Sequence, residues 1–301
     1  MRTNPHRKTA NKELPVIGYV ALRTGTVKPS APFARACAVA VMTLMLWSLL
    51  PVSEAVGAGE LSEDMAARHH ALIELEQAAT NTSQWLNDVR RGRLEYRRIE
   101  HFIEGEDSER RILRVDQSKP AEQRVELLSI DGQPPDAEAL AEFRKQRSEE
   151  LERQDDDGTI RLRIAGFDPE GARLIARDGN LLVFDTPNAL GSILTSERLR
   201  GLAEHLEMQV TVERTNSGPY FKELHVFSTA PFKPGLIGKV RHFEMTLALQ
   251  MLEPDFVTTA RIDSDLAARA FFRNFQTRQH VEFIGHIVHP PSPERASPST
   301  E

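Results

Sequence analysis

The chain has 301 residues, 27% charged and 40% hydrophobic, with a formal net charge of −6 and a single cysteine. An acidic balance with scattered arginines excludes the electrostatic footprint of nucleic-acid binding, and one cysteine excludes an intrachain disulfide framework. The length admits two domains, but both ends read as lying outside one folded unit.

Ala36 to Val52 (ACAVAVMTLMLWSLLPV) is apolar and uncharged, follows Lys28 and Arg35, and precedes small residues from Ala55 to Gly59. That order is the order of a secretory signal. Cleavage fits Ser53-Glu54-Ala55 or Val56-Gly57-Ala58. An uncleaved inner-membrane anchor is the alternative, because seventeen residues stand at the lower limit for a span. In both cases the positive flank stays inside and the remainder is periplasmic, in contact with the membrane only through this segment if it is uncleaved. Residues 1–59, the extension and signal, carry seven Lys or Arg against two acids, and removing that +5 from −6 leaves −11. The stretch before the signal is long, which makes Val27 a candidate internal start. Cys37 begins the apolar run instead of following it, the wrong place for lipid attachment.

Leu61 to Arg90 reads as one helix or two, with Leu61, Met65, Leu72, Leu75 and Ala79 as a stripe and Asn81-Thr82-Ser83 as an interruption before Trp85. His69, His70 and Glu74 lie one turn apart, but without a third ligand they make surface side chains, not a metal site. Tyr96 to Ile103, Arg111 to Val115 and Arg124 to Ile130 are rich in β-branched and aromatic residues and read as a meander of strands. Asp131-Gly132 is then a turn, and Pro134-Pro135 removes two amide donors, so no ladder continues. Asp136 is an N-cap for a helix to about Leu151, with Leu140, Phe143, Arg147 and Leu151 on its sparse apolar face.

Asp155-Asp156-Asp157-Gly158 lacks the ligand spacing of a calcium loop and reads as a solvated connection. Ile160-Arg161-Leu162-Arg163-Ile164 alternates as a half-buried strand. Ala172 to Ala176 and Leu181 to Phe184 flank Asp178-Gly179 as a hairpin. Leu190-Gly191-Ser192 is turn composition, and a short helix runs from Thr195 or Ser196 to Glu207. Met208 to Glu213, Tyr220 to Ser228, Lys239 to Leu252, Phe256 to Ile262, Ala267 to Phe275 and Gln279 to Val288 are successive strands. Turns at Asn216 to Pro219, Lys233-Pro234-Gly235, Glu253-Pro254-Asp255 and Asp263-Ser264-Asp265 make them antiparallel. The end, 290–301, is a Pro/Ser-rich tail expected to be disordered.

No nucleophile elbow, phosphate loop or H-E-x-x-H occurs. His225, His242, His280, His286 and His289 fall on separate strands and read as exposed or singly hydrogen-bonded; no cofactor or metal is implied. The fold expected is α+β: residues 60–289 form one large curved antiparallel sheet, a half-barrel, with a few helices on its concave face. Such a sheet must bury its apolar face, and few helices can leave part of it as a groove. Phe243, Met245, Leu247, Leu249 and Met251 alternate on one strand and are the candidate ligand-binding residues, the methionines adapting to an irregular apolar ligand. Packing of the same five as ordinary core is the competing reading. Residues 136–151 are expected to lie against the face that these five help to build.

The strand, the Asp131-Gly132-Gln133-Pro134-Pro135 break, the helix and the long antiparallel series resemble uncharacterised secreted bacterial proteins that share this "DGxPP" signature. At the level of architecture they resemble the LolA/LolB-like superfamily of periplasmic lipoprotein carriers. The resemblance covers about residues 60–289 and implies binding of acyl chains or lipoproteins in the concave face. The expectation is therefore a non-enzymatic cell-envelope protein that binds a lipid, an acyl chain or a lipidated protein. The alternative is a structural or protein-interaction module with an envelope protein partner, and a third class, a hydrolase with a His-carboxylate pair, requires a converging cluster.

Overall fold

A run such as Phe243-Glu244-Met245-Thr246-Leu247 gives a strand one apolar and one polar face. In the structure, a computed structural model, ten such strands pair into one antiparallel sheet. It describes residues 17–20, 58–86, 94–152, 160–162, 164–194, 201–233, 238–270 and 273–289. The apolar segment 36–52 with Cys37, the cleavage candidate Ser53-Glu54-Ala55, Val56-Gly57 of the second candidate, Asp155 to Gly158 and the tail 290–301 lie outside the described residues, whereas Ala58 of the second candidate is the first residue of a helix.

After β1 (Ile17–Val20) and α1 (Ala58–Leu86) come β2 (Leu94–Glu104), β3 (Asp107–Asp116) and β4 (Val125–Ile130). α2 (Ala137–Glu152), β5 (Ile160–Leu162), β6 (Arg173–Asp178), β7 (Leu181–Asp185) and α3 (Ala189–Ile193) follow. The series ends with β8 (Glu207–Thr215), β9 (Gly218–Phe227), β10 (Gly238–Glu253), β11 (Phe256–Ala270) and β12 (Arg273–Val288). The sheet order is β4-β3-β2-β12-β11-β10-β9-β8-β7-β6, not closed, with short β4 and β6 as its edges. The chain crosses from one edge to the other through residues 131–172.

The strand break before α2 forms as its residues require. Asp131 and Gly132 both take positive φ (51° and 78°), the Asp131 amide donates to the Arg110 carbonyl at 2.7 Å, and its carboxylate accepts the Arg110 amide at 2.8 Å. Asp136 then caps α2 by accepting the Ala139 amide at 2.8 Å.

Several expectations need correction. Asn81 and Thr82 do not interrupt α1, which is one 29-residue helix. Their polar groups bond outward: Asn81 donates to the Pro219 carbonyl at 2.9 Å, and the fully buried Thr82 hydroxyl accepts the Phe221 amide at 2.8 Å. Asp263-Ser264-Asp265 is no turn either, for it lies in the middle of the 15-residue β11. There Asp263 and Asp265 point to the polar face, where His280 and Arg278 stand opposite them on β12, so cross-strand pairing replaces turn formation.

The stretch 160–164 divides. Residues 160–162 pair with β1 in a separate two-stranded ribbon, which places a strand inside the predicted N-terminal extension. Ile164 starts a 3-10 turn and is buried in the main core. Leu190-Gly191-Ser192 belongs to α3, whose Ala189, Leu190 and Ile193 are buried. A Cβ on Gly166 would stand 2.6 Å from the Ser192 carbonyl oxygen, so the 3-10 turn presses on α3 only with glycine there. Of the helix expected over 195–207, residues 201–203 are helical and 195–200 lie outside the described residues.

The core lies between α1 and the apolar face of β6 to β11, where Ala71, Leu75 and Ala78 join Leu182, Phe184, Val210, Phe221 and Leu224. α2 takes another place. Its Leu140, Phe143 and Arg147 are half-buried, it meets the 3-10 turn Ala121–Gln123 between β3 and β4, and none of its described residues enters the core that holds β10.

Replacement of Thr82 by valine keeps the shape of the side chain but leaves the buried Phe221 amide unpaired. The variant is expected to lose about 1–3 kcal/mol of stability, read as a shift of the denaturant midpoint, while Thr82→Ser keeps the acceptor and loses clearly less.

Candidate functional site

The five residues expected to bind ligand stand side by side on β10, alternating with His242, Glu244, Thr246, Ala248 and Gln250. Phe243, Met245, Leu247 and Leu249 are 7%, 1%, 4% and 1% exposed, and Met251 is half-buried against the same core. In this conformation they are packed together with α1 and do not line an open groove. α1 is fastened there by more than apolar contact. Both Nε and Nη2 of Arg214 reach Glu74 Oε2, at 3.0 and 2.7 Å, and His70 approaches the other oxygen of Glu74 at 3.4 Å. Beside this pair, Glu213 accepts from Tyr220 and from Lys222, each at 2.7 Å. Burial raises the Glu213 carboxyl, yet these hydrogen bonds outweigh it and hold the group below its ordinary value. Burial, then the Glu213 carboxylate, pushes the Tyr220 phenol up.

The same face changes character on β2, β3 and β12. Register puts Arg98, Glu100 and Phe102 beside Phe283, Val281 and Gln279 of β12, and beside Leu113, Arg111 and Glu109 of β3. Val281 belongs to the core, so these side chains are on the face α1 packs against. Arg98, Glu100 and Arg111 side chains are 22%, 11% and 15% exposed. Arg98 Nε is 2.8 Å from Glu100 Oε1, and Arg111 Nε is close to Glu109. Both contacts are short but poorly aligned, so neither Nε–H makes a proper hydrogen bond. Phe102, Phe283 and Tyr96 are only half-buried. Tyr96 stacks at a tilt on Phe283 (5.6 Å) and His286 (5.5 Å), and burial holds His286 neutral by lowering its pKa. Beyond the charged residues, Leu113, Val115 and Leu127 are buried again.

The opposite face carries a shallow depression of about 280 Å³, lined by His101, Glu244, Thr246, Asp263, Arg278 and His280 among others. Four of its residues form a transverse row, Thr246, Asp263, His280 and His101 on β10, β11, β12 and β2, which His225 of β9 extends beyond the depression. His280 Nδ1 is 2.5 Å from Asp263 Oδ1, and its Nε2 is 3.2 Å from Glu282 Oε1. These contacts, Asp263 first, raise the His280 pKa, since both ring nitrogens can donate only in the cation. Arg261 pairs with Asp263 at 2.7 Å and Arg278 with Asp265 at 2.9 Å. With both nitrogens committed to carboxylates, His280 has none left to activate a hydroxyl, which a His-carboxylate hydrolase needs.

The other late histidines disperse. His225 and His242 flank Glu244 at 3.0 and 3.6 Å, His286 meets Gln250 at 3.2 Å, and His289 meets Glu95 at 3.2 Å. Among the described residues no group of three or more His, Cys, Asp or Glu is arranged to hold a metal ion, and no described helix is long and apolar enough to cross a membrane.

Sequence reasoning missed Arg98, Glu100 and Arg111. The missing signal was the even-numbered phase of β2, Tyr96-Arg98-Glu100-Phe102, which mixes aromatic and charged residues and so gives no clean face. In comparison with known proteins, no family model, no curated protein and no solved structure matches the chain.

A histidine whose folded pKa is raised stabilises fully below its unfolded value, about 6.5, and loses that contribution as pH rises through the folded value. His280→Gln is therefore expected to lower Tm more at about pH 6 than at about pH 9. Because His280 is 41% exposed, the effect is small. Equal losses at both pH values would contradict the assignment.

Proposed function

We propose that this is a non-enzymatic cell-envelope protein, exported by its N-terminal segment, that binds a lipid, an acyl chain or a lipidated protein on the apolar face of its sheet. In this reading the sheet is a half-barrel with helices on its concave side, as the resemblance to the LolA/LolB-like carriers implies. The observation that carries the reading is the uneven cover of that face. Over β6 to β11 it is sealed by α1, whereas Tyr96, Phe102 and Phe283 on β2 and β12 remain half-buried.

Half-buried aromatics grouped on one face form the kind of apolar surface an acyl chain can lie along. The ligand then starts on β2 and β12, next to the core. Phe243, Met245, Leu247, Leu249 and Met251 become contacts only where α1 moves aside, a movement that breaks its polar fastenings, Glu74 to Arg214, Asn81 to Pro219 and Thr82 to Phe221. An exchange of this kind conserves burial, since an acyl chain takes over the apolar contacts that the helix gives up.

The sealing of β10 favours a second reading, a structural or protein-interaction module that holds an envelope partner and no small ligand. Protein purified from its native envelope separates the two. Lipid extraction followed by mass spectrometry is expected to yield acyl-bearing species in near-stoichiometric amount, reduced about tenfold in a folded Phe102→Ser, Phe283→Ser double variant. Lipid-free protein that also fails to take up a fluorescent naphthylamine probe would leave the interaction module standing alone.

A further inference from the structure

Burying charge on the apolar face of a sheet costs several kcal/mol per ion in general and is sustained only by good pairing. Arg98 and Arg111 break that expectation. A guanidinium has five N–H donors, yet each of these arginines has a single close carboxylate, held at an angle that leaves its Nε–H unsatisfied. Two half-buried cations with surplus donors stand on adjacent strands, two residue pairs apart in register and so neighbours on one face. Around them lie Phe102 and Phe283 on one side and Leu113 and Leu127 on the other.

We infer that Arg98 and Arg111 form the polar end of the proposed apolar site and select an acyl chain that ends in a free carboxylate, an inference that rests on the reading above. A planar guanidinium matches a carboxylate in a two-pronged contact, and the spare donors provide it without breaking the existing pairs. Glu100 and Glu109 argue for this headgroup over a phosphate. With two carboxylates already beside the arginines, a singly charged end is tolerated where a doubly charged one meets stronger repulsion. The chain would run from this charged end along Phe102, Phe283 and Tyr96 towards the core.

The test uses delipidated full-length protein and three probes with one alkyl chain: oleate, oleyl alcohol and oleyl phosphate, titrated by displacement of the naphthylamine probe. Oleate is expected to bind at least about tenfold tighter than oleyl alcohol. In the Arg98→Gln, Arg111→Gln double variant that preference should fall to within about twofold, with oleyl alcohol unchanged. If the double variant does not fold, Glu100→Gln decides instead: removing the competing carboxylate should tighten oleate and leave oleyl alcohol as it was. Equal binding of oleate and oleyl alcohol by the native chain, tightest binding of oleyl phosphate, or no effect of these substitutions on the preference would overturn the inference and leave the apolar site intact. Failure of all three probes to bind would remove the site itself.

Discussion

The docking of α1 on β9 is the interaction on which the rest of this molecule depends. An open sheet has no second layer supplied by its own closure, so a strand such as β10, with four buried apolar side chains on one face, needs a separate element to cover it. α1 is the main such element, joined by α3 and the 3-10 turn at Ile164, and over 71–79 its contact residues are small or slender, Ala71, Leu75, Ala78 and Ala79, with Trp85 and Leu86 buried at its end. Small residues let the helix approach closely, but apolar contact is non-directional and does not fix where along the sheet the helix sits. Position comes from polar groups at defined points. Thr82 and Asn81 bond to the backbone of β9, and Glu74 bonds to Arg214 of β8. Within these contacts the fully buried hydroxyl of Thr82 has no water to turn to, so it specifies register most strictly.

The other face solves a different problem. Among the described residues it has no layer over it, and its order comes from charge pairs directly across the strands: Asp263 with His280, and Asp265 with Arg278. Each such pair is worth little alone at the surface. Set in rows on strands of 15 and 16 residues, they keep long central strands straight through residues that would otherwise favour a turn. The exposed edges are kept short, six residues in β4 and in β6, and β6 has Arg173 and Arg177 with an irregularity between Leu174 and Ala176. Short, charged, irregular edges resist pairing with other chains, which lets a sheet of this size stay open.

What the sequence showed well was whatever depends on local patterning. The alternation in β10, the Asp178-Gly179 hairpin and the Asp131 to Asp136 break all read correctly, because backbone preference and period two act within a few residues. The errors share a cause, which is that one composition serves two ends. Asn81-Thr82 has the makeup of a helix break, but a polar side chain on a buried helix face is equally an anchor when a strand offers a carbonyl and an amide. Asp263-Ser264-Asp265 has the makeup of a turn until His280 and Arg278 are placed opposite it. Partner identity across the fold decided both cases, and sequence spacing does not contain it. The candidate residues on β10 suffered the reverse ambiguity, since an apolar alternating strand looks the same whether its face is a groove or is sealed by a helix.

Arg98, Glu100 and Arg111 were hidden for a further reason, and it bears on what the protein does. A sheet face selected for packing alone would extend the apolar surface of β12 through β2 into the cluster at Leu113 and Leu127, with no charge between. Instead two half-buried arginines and a buried glutamate divide the face, and replacing buried ion pairs by apolar residues of similar volume is often neutral or stabilising. Stability is therefore weak ground for their presence. The pairs are also too poorly aligned to serve as a strict determinant of register, the role in which Thr82 and Asn81 already act. On the proposed reading they are a place of exchange, where surplus donors beside half-buried aromatics suit a group that arrives and leaves. Sealing by α1 on one side and mixed polarity on the other then become two halves of a single design, a packed core that holds the sheet and an amphipathic margin that stays available.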